Sequence, residues 1–596
     1  MIKKFLYIVS ISFCFAFTTS CEGDLLDQVN PNAITDGSFW QTESDFEKAV
    51  NALYGSLQLP SVSGGSLAFE MLRSDLCGTE SWYSDQSTFT GLKWNDTTDY
   101  VEDRWSELYV GVYRANQILY YIEEATCFDE DPEEEALIIA QAKFIRAYCY
   151  FWLAYGYNGA VIHDSLPTDP DAMHKPFSSK EDVISTMVIP DFEAAMETLP
   201  KEWDASEVGH ITWGAAAAML GKVYLFQEDW STAKSYFGQI IAEAETNNLY
   251  SLVSNYMDNF TTDNEYNSES ILEVAYSDNY KEGNNGQNHD GSTGSEANSI
   301  AMAFATLNAG GYNSAMPTYH CQEMFVSAEE MDPSASWTSS HERSMRTYAS
   351  IVVEYADGEY YNAPLTPYYD NGGNLVPANT NFNYGHSSKV KKYTQWDRVD
   401  AEDSSTGCRT GINYRAIRYA DVLLMYAEAC LECGDAVSSV IPYIDQVRER
   451  AGVITLQQYM NDNSNKIPQL HISKYANTWD DYNYVEANSA NVLTHIRQVE
   501  RVLELAFEGH RWYDLLRWGL TDEIFDQCWE EEQLLRLKLC GSMDSNTIPT
   551  DSTKEYPLYV NERIRPDFQT KSENFSTDSH SYFPIPSYEV VNNNAI

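Results

Sequence analysis

Positive charge is scarce in this chain. Over 596 residues, 38 lysines and arginines face 89 aspartates and glutamates, a formal net charge of −51. A nucleic-acid groove or a face for anionic lipid needs surplus cations, so both are set aside, and a neutral or cationic ligand suits the surface better than a polyanion. Long apolar runs are missing too. Outside residues 5–17 no stretch approaches the roughly 20 apolar residues that span a bilayer. Cysteine offers no framework: of 11, Cys14 and Cys21 belong to the N-terminal region, and the odd nine that remain are irregularly spaced. The CxxC pair Cys430 and Cys433 lies late in a predicted helix and lacks a second ligand pair for zinc, so core packing is expected of it.

Catalytic signatures are absent as well. There is no GxSxG, Walker loop, dinucleotide fingerprint or HExxH. Acids are so numerous that neighbouring carboxylates are no sign of a glycosidase pair, which is defined by spacing in three dimensions. The Asp- and Asn-rich loops 258–265 and 278–290 are the places where calcium would sit, but neither follows the EF-hand spacing, and no metal or cofactor is assigned. His510 and Asp514 stand four apart among Glu508, Arg511 and Arg517; charge pairs locking a helix to its neighbours are the expectation there.

What is present begins at the N-terminus. Lys3 and Lys4, the apolar run 5–17, and the small residues Thr18, Thr19 and Ser20 before Cys21 form a secretory leader over residues 1–20. A cysteine directly after the small residues predicts lipidation at Cys21, as in a bacterial lipoprotein, with Thr18 standing where leucine is usual.

Helical periodicity then governs most of the chain. Residues 413–453 carry Ile417, Ala420, Leu424, Ala427 and Leu431 on one stripe. Gly434 ends that helix, Asp435 caps the next, and Val437, Ile441, Ile444, Val447 and Ala451 repeat the spacing, predicting an antiparallel hairpin. Leu220, Gly221, Tyr224, Ala233 and Phe237 fall at tetratricopeptide spacing, with Tyr224 and Phe237 expected to fill the space between two close helices. Further helices are expected over 105–124, 133–157 and 178–199, the last broken or kinked at Pro190, and one long helix over 491–518. Residues 60–99 read as an aromatic-rich loop without helical period, and 270–276 as a strand.

Several of these blocks resemble one family. RYADVLLMYAEAC before a glycine and VRERAG, the Glu500-Arg501…Glu508-Gly509-His510-Arg511…Asp514-Leu515…Arg517 run, and the Phe583-Pro-Ile-Pro586 block are similar to SusD/RagB-like proteins. The resemblance implies a mainly α-helical protein of tetratricopeptide-like antiparallel helix pairs forming a scaffold, with a loop-rich insertion containing short strands. After the leader, a single SusD-like domain is expected over 21–596: an N-terminal part over about 21–250, the insertion over about 251–412 and a helical C-terminal part over about 413–596. It also implies an outer-membrane lipoprotein, facing the cell exterior, that captures a glycan and delivers it to a SusC-like TonB-dependent transporter, membrane contact being through the lipid anchor only. A peptide or another nutrient, as for RagB-like members, is the alternative; a surface glycoside hydrolase is the further rival.

The ligand candidates are aromatics in polar loops. A ring offers a flat apolar face beside hydrogen-bonding groups, which suits a sugar ring. Asp75, Trp82, Tyr83, Trp94 and Asn95 in the first loop, and Tyr280, Tyr312, Tyr319 and Trp337 in the insertion, are the residues singled out. Asp75 and the tryptophans are favoured because the family often places ligand contacts in corresponding loops.

Overall fold

The protein is described from a computed structural model, covering residues 39–167, 169–277, 297–306, 310–352, 389–396, 409–469, 483–549 and 563–596, with short pieces between 359 and 376. The first helix, Glu43–Tyr54, starts where the Asp45 carboxylate accepts from the backbone N and hydroxyl of Thr42 at 3.1 and 2.7 Å. Pro132 begins the helix Pro132–Tyr157, where its missing N–H leaves no bond unmade, and Asp131 caps it. From there the helices pack in chain order. Asp99–Ile122 lies on Pro132–Tyr157, which lies on Ile189–Thr198, then come Trp213–Phe226, Trp230–Asn247, Tyr419–Glu432 and Val437–Ala451. This is a mostly helical stack of helix pairs, with strands only in short two-stranded antiparallel pairings among the described residues.

The close pair 213–247 shows why glycine is needed. A Cβ on Gly221 would stand 2.5 Å from the Phe237 ring, so only a residue without one lets the helices approach. Ala233 and Phe237 are fully buried between them. Tyr224, half-buried, also lies between the helices, stacked on Tyr236 of the facing helix at 5.8 Å.

Four expectations are corrected. Tyr414–Arg418 is a strand, paired antiparallel with Ser270–Val274 and bulged near Ile417, so the helix begins at Tyr419. Asp435 pairs with Lys234 instead of capping, although Gly434 does close the helix in the left-handed region (φ 85°). Residues 60–99 contain two short helices, Ala68–Arg73 and Ser84–Thr90. The run 491–518 is broken into Ser489–His495, a π turn Ile496–Glu500, Arg501–Leu505 and Arg511–Arg517. The break follows from side-chain competition: the Glu504 carbonyl accepts from Arg418 (2.6 Å), Lys392 (3.0 Å) and the Tyr256 hydroxyl, and Phe507 and Gly509 turn the chain with positive φ. At Pro190 the expected interruption is a π turn, Ile184–Val188, after which the helix restarts as Ile189–Thr198. Of the CxxC pair, Cys430 is buried as expected but Cys433 is exposed.

The centre of the C-terminal half is ionic. Arg346, Lys392, Arg418, Arg448 and Arg450 meet Glu269, Glu329, Glu500, Glu504 and Glu508, all with side chains at most 4 % exposed. Five cations balance five carboxylates. Arg418 alone reaches Glu269 (2.7 Å), Glu504 (2.6 Å) and Glu508 (2.8 Å). Burial pushes the Glu504 carboxyl up, but Arg450, Arg418 and Arg346 outweigh it and hold it down at about 2. A second charge cluster bears out the locking role expected of the 508–517 run: Asp514 bridges Arg501 (2.8 Å) and Arg517 (2.9 Å), and Arg501 reaches Asp421 (2.6 Å). Burial and nearby Lys222 push the His510 imidazole down to about 4, so it sits there neutral.

Candidate ligand-binding face

A two-residue pairing organises the face. Cys77–Gly78 lies antiparallel to Met316–Pro317, fixed further by Thr318, whose N–H donates to the Leu76 carbonyl (3.0 Å) and whose hydroxyl donates to the Asp75 carbonyl (2.7 Å). The strap 563–568 closes on the same point. Arg565 pairs with Asp567 and donates to the Pro317 carbonyl at 3.0 Å. A Cβ on Gly78 would stand 2.2 Å from the Asp567 carboxylate, so glycine at 78 is what admits this ion pair.

Beyond the pairing the chains lead to three aromatics. The Tyr83 hydroxyl donates to the Tyr312 carbonyl, tying the two loops together across 229 positions of sequence. Trp82 and Tyr83 lie 6.2 Å apart at 45°. Trp82 is 52 % and Tyr312 50 % exposed, and no other described tryptophan is as exposed as Trp82. Beneath them, buried Glu80 holds Arg563, whose guanidinium lies 5.8 Å from the Trp82 ring. Lys389 supports the Tyr312 loop by donating to Asn313 Oδ1 at 2.8 Å; burial and Arg565 push its ammonium down to about 7 against the pull of Glu80. The arrangement presents flat apolar faces beside a guanidinium and a phenol. It offers stacking and hydrogen bonding, with no nucleophile–base pair among these groups.

Four candidates do not belong to this face. Asp75 is fully buried and bidentate to Arg511 (2.9 and 2.8 Å), with His320 at 3.7 Å. Its carboxylate joins the C-terminal helices to the first loop. Trp94 is 9 % exposed, stacked on Phe89 and edge-on to Phe583 and Trp512, with the Arg73 guanidinium 4.8 Å from its ring. Tyr319 is buried, its hydroxyl bonded to the Cys528 carbonyl. Asn95 is exposed, but its Oδ1 accepts from the N–H and hydroxyl of Thr97 (2.9 and 2.8 Å), a turn that launches the helix Asp99–Ile122. Trp337 stands apart, in a separate cavity. Cys21, Tyr280 and the 278–290 loop lie outside the described residues, and in the 258–265 loop Asp258 and Glu265 accept from Asn255 (2.8 Å) and the Asn413 N–H (3.2 Å). Glu80 and Arg563 were not singled out from sequence; an acid among 89 carries no local signal of its partner 483 positions away.

The family is shown by comparison. Residues 268–596 match the family described as "SusD family", and residues 24–225 match "Starch-binding associating with outer membrane". The chain belongs to the SusD family. A SusD-like protein, P25, of Formosa agariphila is 25 % identical over 531 residues, 87 % of this chain and 90 % of that one. Among solved SusD-like folds, a superfamily protein from Bacteroides vulgatus superposes with a TM-score of 0.68 at 23 % identity, covering 94 % of this chain and 98 % of that one. Surface glycan-binding protein A from Bacteroides thetaiotaomicron, solved with laminarihexaose, gives 0.61 at 18 % identity, covering 93 % and 98 %. The SusD fold thus accounts for the helix-pair stack, and the second family description associates such chains with the outer membrane. No described helix is long and apolar enough to cross a membrane.

Proposed function

We propose that this SusD-family protein captures a glycan at the Trp82–Tyr83–Tyr312 face and delivers it to a SusC-like TonB-dependent transporter in the outer membrane. The observation that carries the reading is the exposure of Trp82 and Tyr312 on loops pinned by the Tyr83 hydroxyl. Sugar rings stack their C–H faces on such rings, and the adjacent Arg563 and Tyr83 supply hydrogen bonds to hydroxyls. The laminarihexaose complex of the structurally similar glycan-binding protein supports the same ligand class. Binding is by shape and stacking, without bond cleavage. The protein is held at the outer membrane, facing outward, by a lipid on Cys21.

Isothermal calorimetry with a panel of neutral hexaoses, laminarihexaose included, tests the reading. Saturable binding to the wild type that falls at least about tenfold in Trp82→Ala is expected, matching the ~1.4 kcal/mol that a lost stacking contact represents. Saturable peptide binding with no response to any hexaose would replace the glycan by a peptide. Steady release of shorter sugars during incubation would contradict a pure binder. Replacing Cys21 by Ala is expected to release the protein from membranes.

A further inference from the structure

Apart from the Trp82 face, a cavity of about 590 Å³ opens where the end of the helix Trp230–Asn247 and the turn after it face the segment 335–345 and the end of the helix Val437–Ala451. None of these elements contributes to the Trp82 face. One wall is Trp337. It is half-buried, and its ring meets Tyr348 edge-on at 5.8 Å. Polar and ring contacts also fix it: Nε1 donates to the Arg343 carbonyl at 2.8 Å, and the ring stacks on His341 at 3.5 Å with the planes 1° apart. Gly452, at the helix end with φ +77°, lies beside the indole. A Cβ there would make ordinary contact with the Trp337 side chain at 3.4 Å, and the positive φ is what favours glycine at this helix end. The result is an aromatic wall held in place from several sides.

The rest of the lining joins apolar residues, Leu252, Val253 and Met345 among them, to a polar rim. Glu245, Asn248, Gln446 and Glu449 are exposed at the cavity. Its one cation, Arg450, is engaged by Glu269 (2.9 Å) and by Glu504, so it brings no free positive charge. Carboxylates and amides beside a fixed ring fit vicinal hydroxyls, while Glu245 and Glu449 repel uronate or sulfate. The volume lies within the ~300–1,000 Å³ of small-ligand clefts.

We propose that this cavity is a second glycan site, taking a short neutral oligosaccharide segment between Trp337 and the Glu245–Gln446–Glu449 rim. The ligand class rests on the glycan reading above. Two separated grips on one polymer raise its retention through effective concentration, without any added contact.

Calorimetry with the same neutral hexaoses, and with a galacturonate hexamer, on the full chain tests it. Two sites per chain are expected for the wild type with a neutral hexaose. In Trp82→Ala one site is expected to remain, and it should weaken at least about tenfold when Trp337→Ala or the surface pair Gln446→Ala and Glu449→Ala is added; the surface pair guards against misfolding of the tryptophan variant. The galacturonate hexamer should not bind that site. One site in the wild type that vanishes in Trp82→Ala would overturn the second site and leave the Trp82 face standing. So would residual binding that the surface pair leaves unchanged, or that prefers the galacturonate hexamer. No response of the wild type to any hexaose would overturn the glycan reading itself, and this inference with it.

Discussion

The ionic centre around Arg418 and the aromatic face around Trp82 are held by opposite means. In the centre every partner is buried, so each charge has to meet a counter-charge; five cations balance five carboxylates within side chains at most 4 % exposed. At the face, Trp82 is 52 % exposed, its ring 5.8 Å from the Arg563 guanidinium. Burial makes the cost of a wrong residue large, whereas exposure makes it small. The centre therefore dictates its own sequence, and the face is free to follow a ligand. The tryptophans of the first loop repeat the contrast at short range. Trp94 is boxed by Phe89, Phe583 and Trp512, while Trp82, twelve positions earlier, projects.

The largest expected effect breaks the centre. Arg418→Met leaves Glu269, Glu504 and Glu508 without their shared guanidinium, and breaking a buried pair costs about 3–5 kcal/mol. Urea denaturation is expected to show at least that loss or no folded protein, and a loss below about 1 kcal/mol would mean the network is dispensable. Trp94→Ala should cost a comparable ~3–5 kcal/mol through the cavity it leaves, whereas Trp82→Ala should stay within about 0.5 kcal/mol in the same assay. If the two cost the same, the contrast between boxed and projecting rings fails.

Acid probes the centre without mutation. Glu504 is held at about 2 against an ordinary 4.5, so its stabilisation is fully present above pH 4.5 and is lost as the pH falls toward 2. At ~1.4 kcal/mol per unit this is on the order of 3 kcal/mol, and Glu500 and Asp421, both held below the ordinary carboxylate range, add in the same direction. Chemical denaturation at pH 5 and pH 2.5 checks it; equal stability at both would show that these carboxylates are not held down. On binding, the smallest effect is that of Tyr83→Phe. It removes the hydroxyl bond to the Tyr312 carbonyl, with a stability change of about 1 kcal/mol or less. Its mark should be a few-fold weaker hexaose affinity by calorimetry as the two loops part, and unchanged affinity would show that this tie does not shape the face.

Much of the scaffold was legible because its causes are local. Gly221, Ala233 and Phe237 sit at fixed helical spacing, and Gly434 stops a helix where a left-handed residue is needed. The long helix 491–518 was misread because its break is set by Arg418, Lys392 and Tyr256 claiming the Glu504 carbonyl from remote positions. The strand at Tyr414–Arg418 was likewise hidden, since its partner Ser270–Val274 lies far upstream. At the face, Trp82, Tyr83 and Tyr312 carried a composition signal, but so did Trp94, Tyr319 and Asp75, which are buried.

By itself the sequence determined the family and the helix-pair scaffold, because spacing along a helix decides which residues share a face. Tertiary structure alone decided which aromatic rings reach solvent and which are boxed, and which acids find an arginine. Those outcomes depend on chain segments hundreds of positions apart meeting in one place: Glu80 with Arg563, Asp75 with Arg511, Tyr83 with Tyr312. A residue type fixes what a side chain is able to do, and burial fixes what it does.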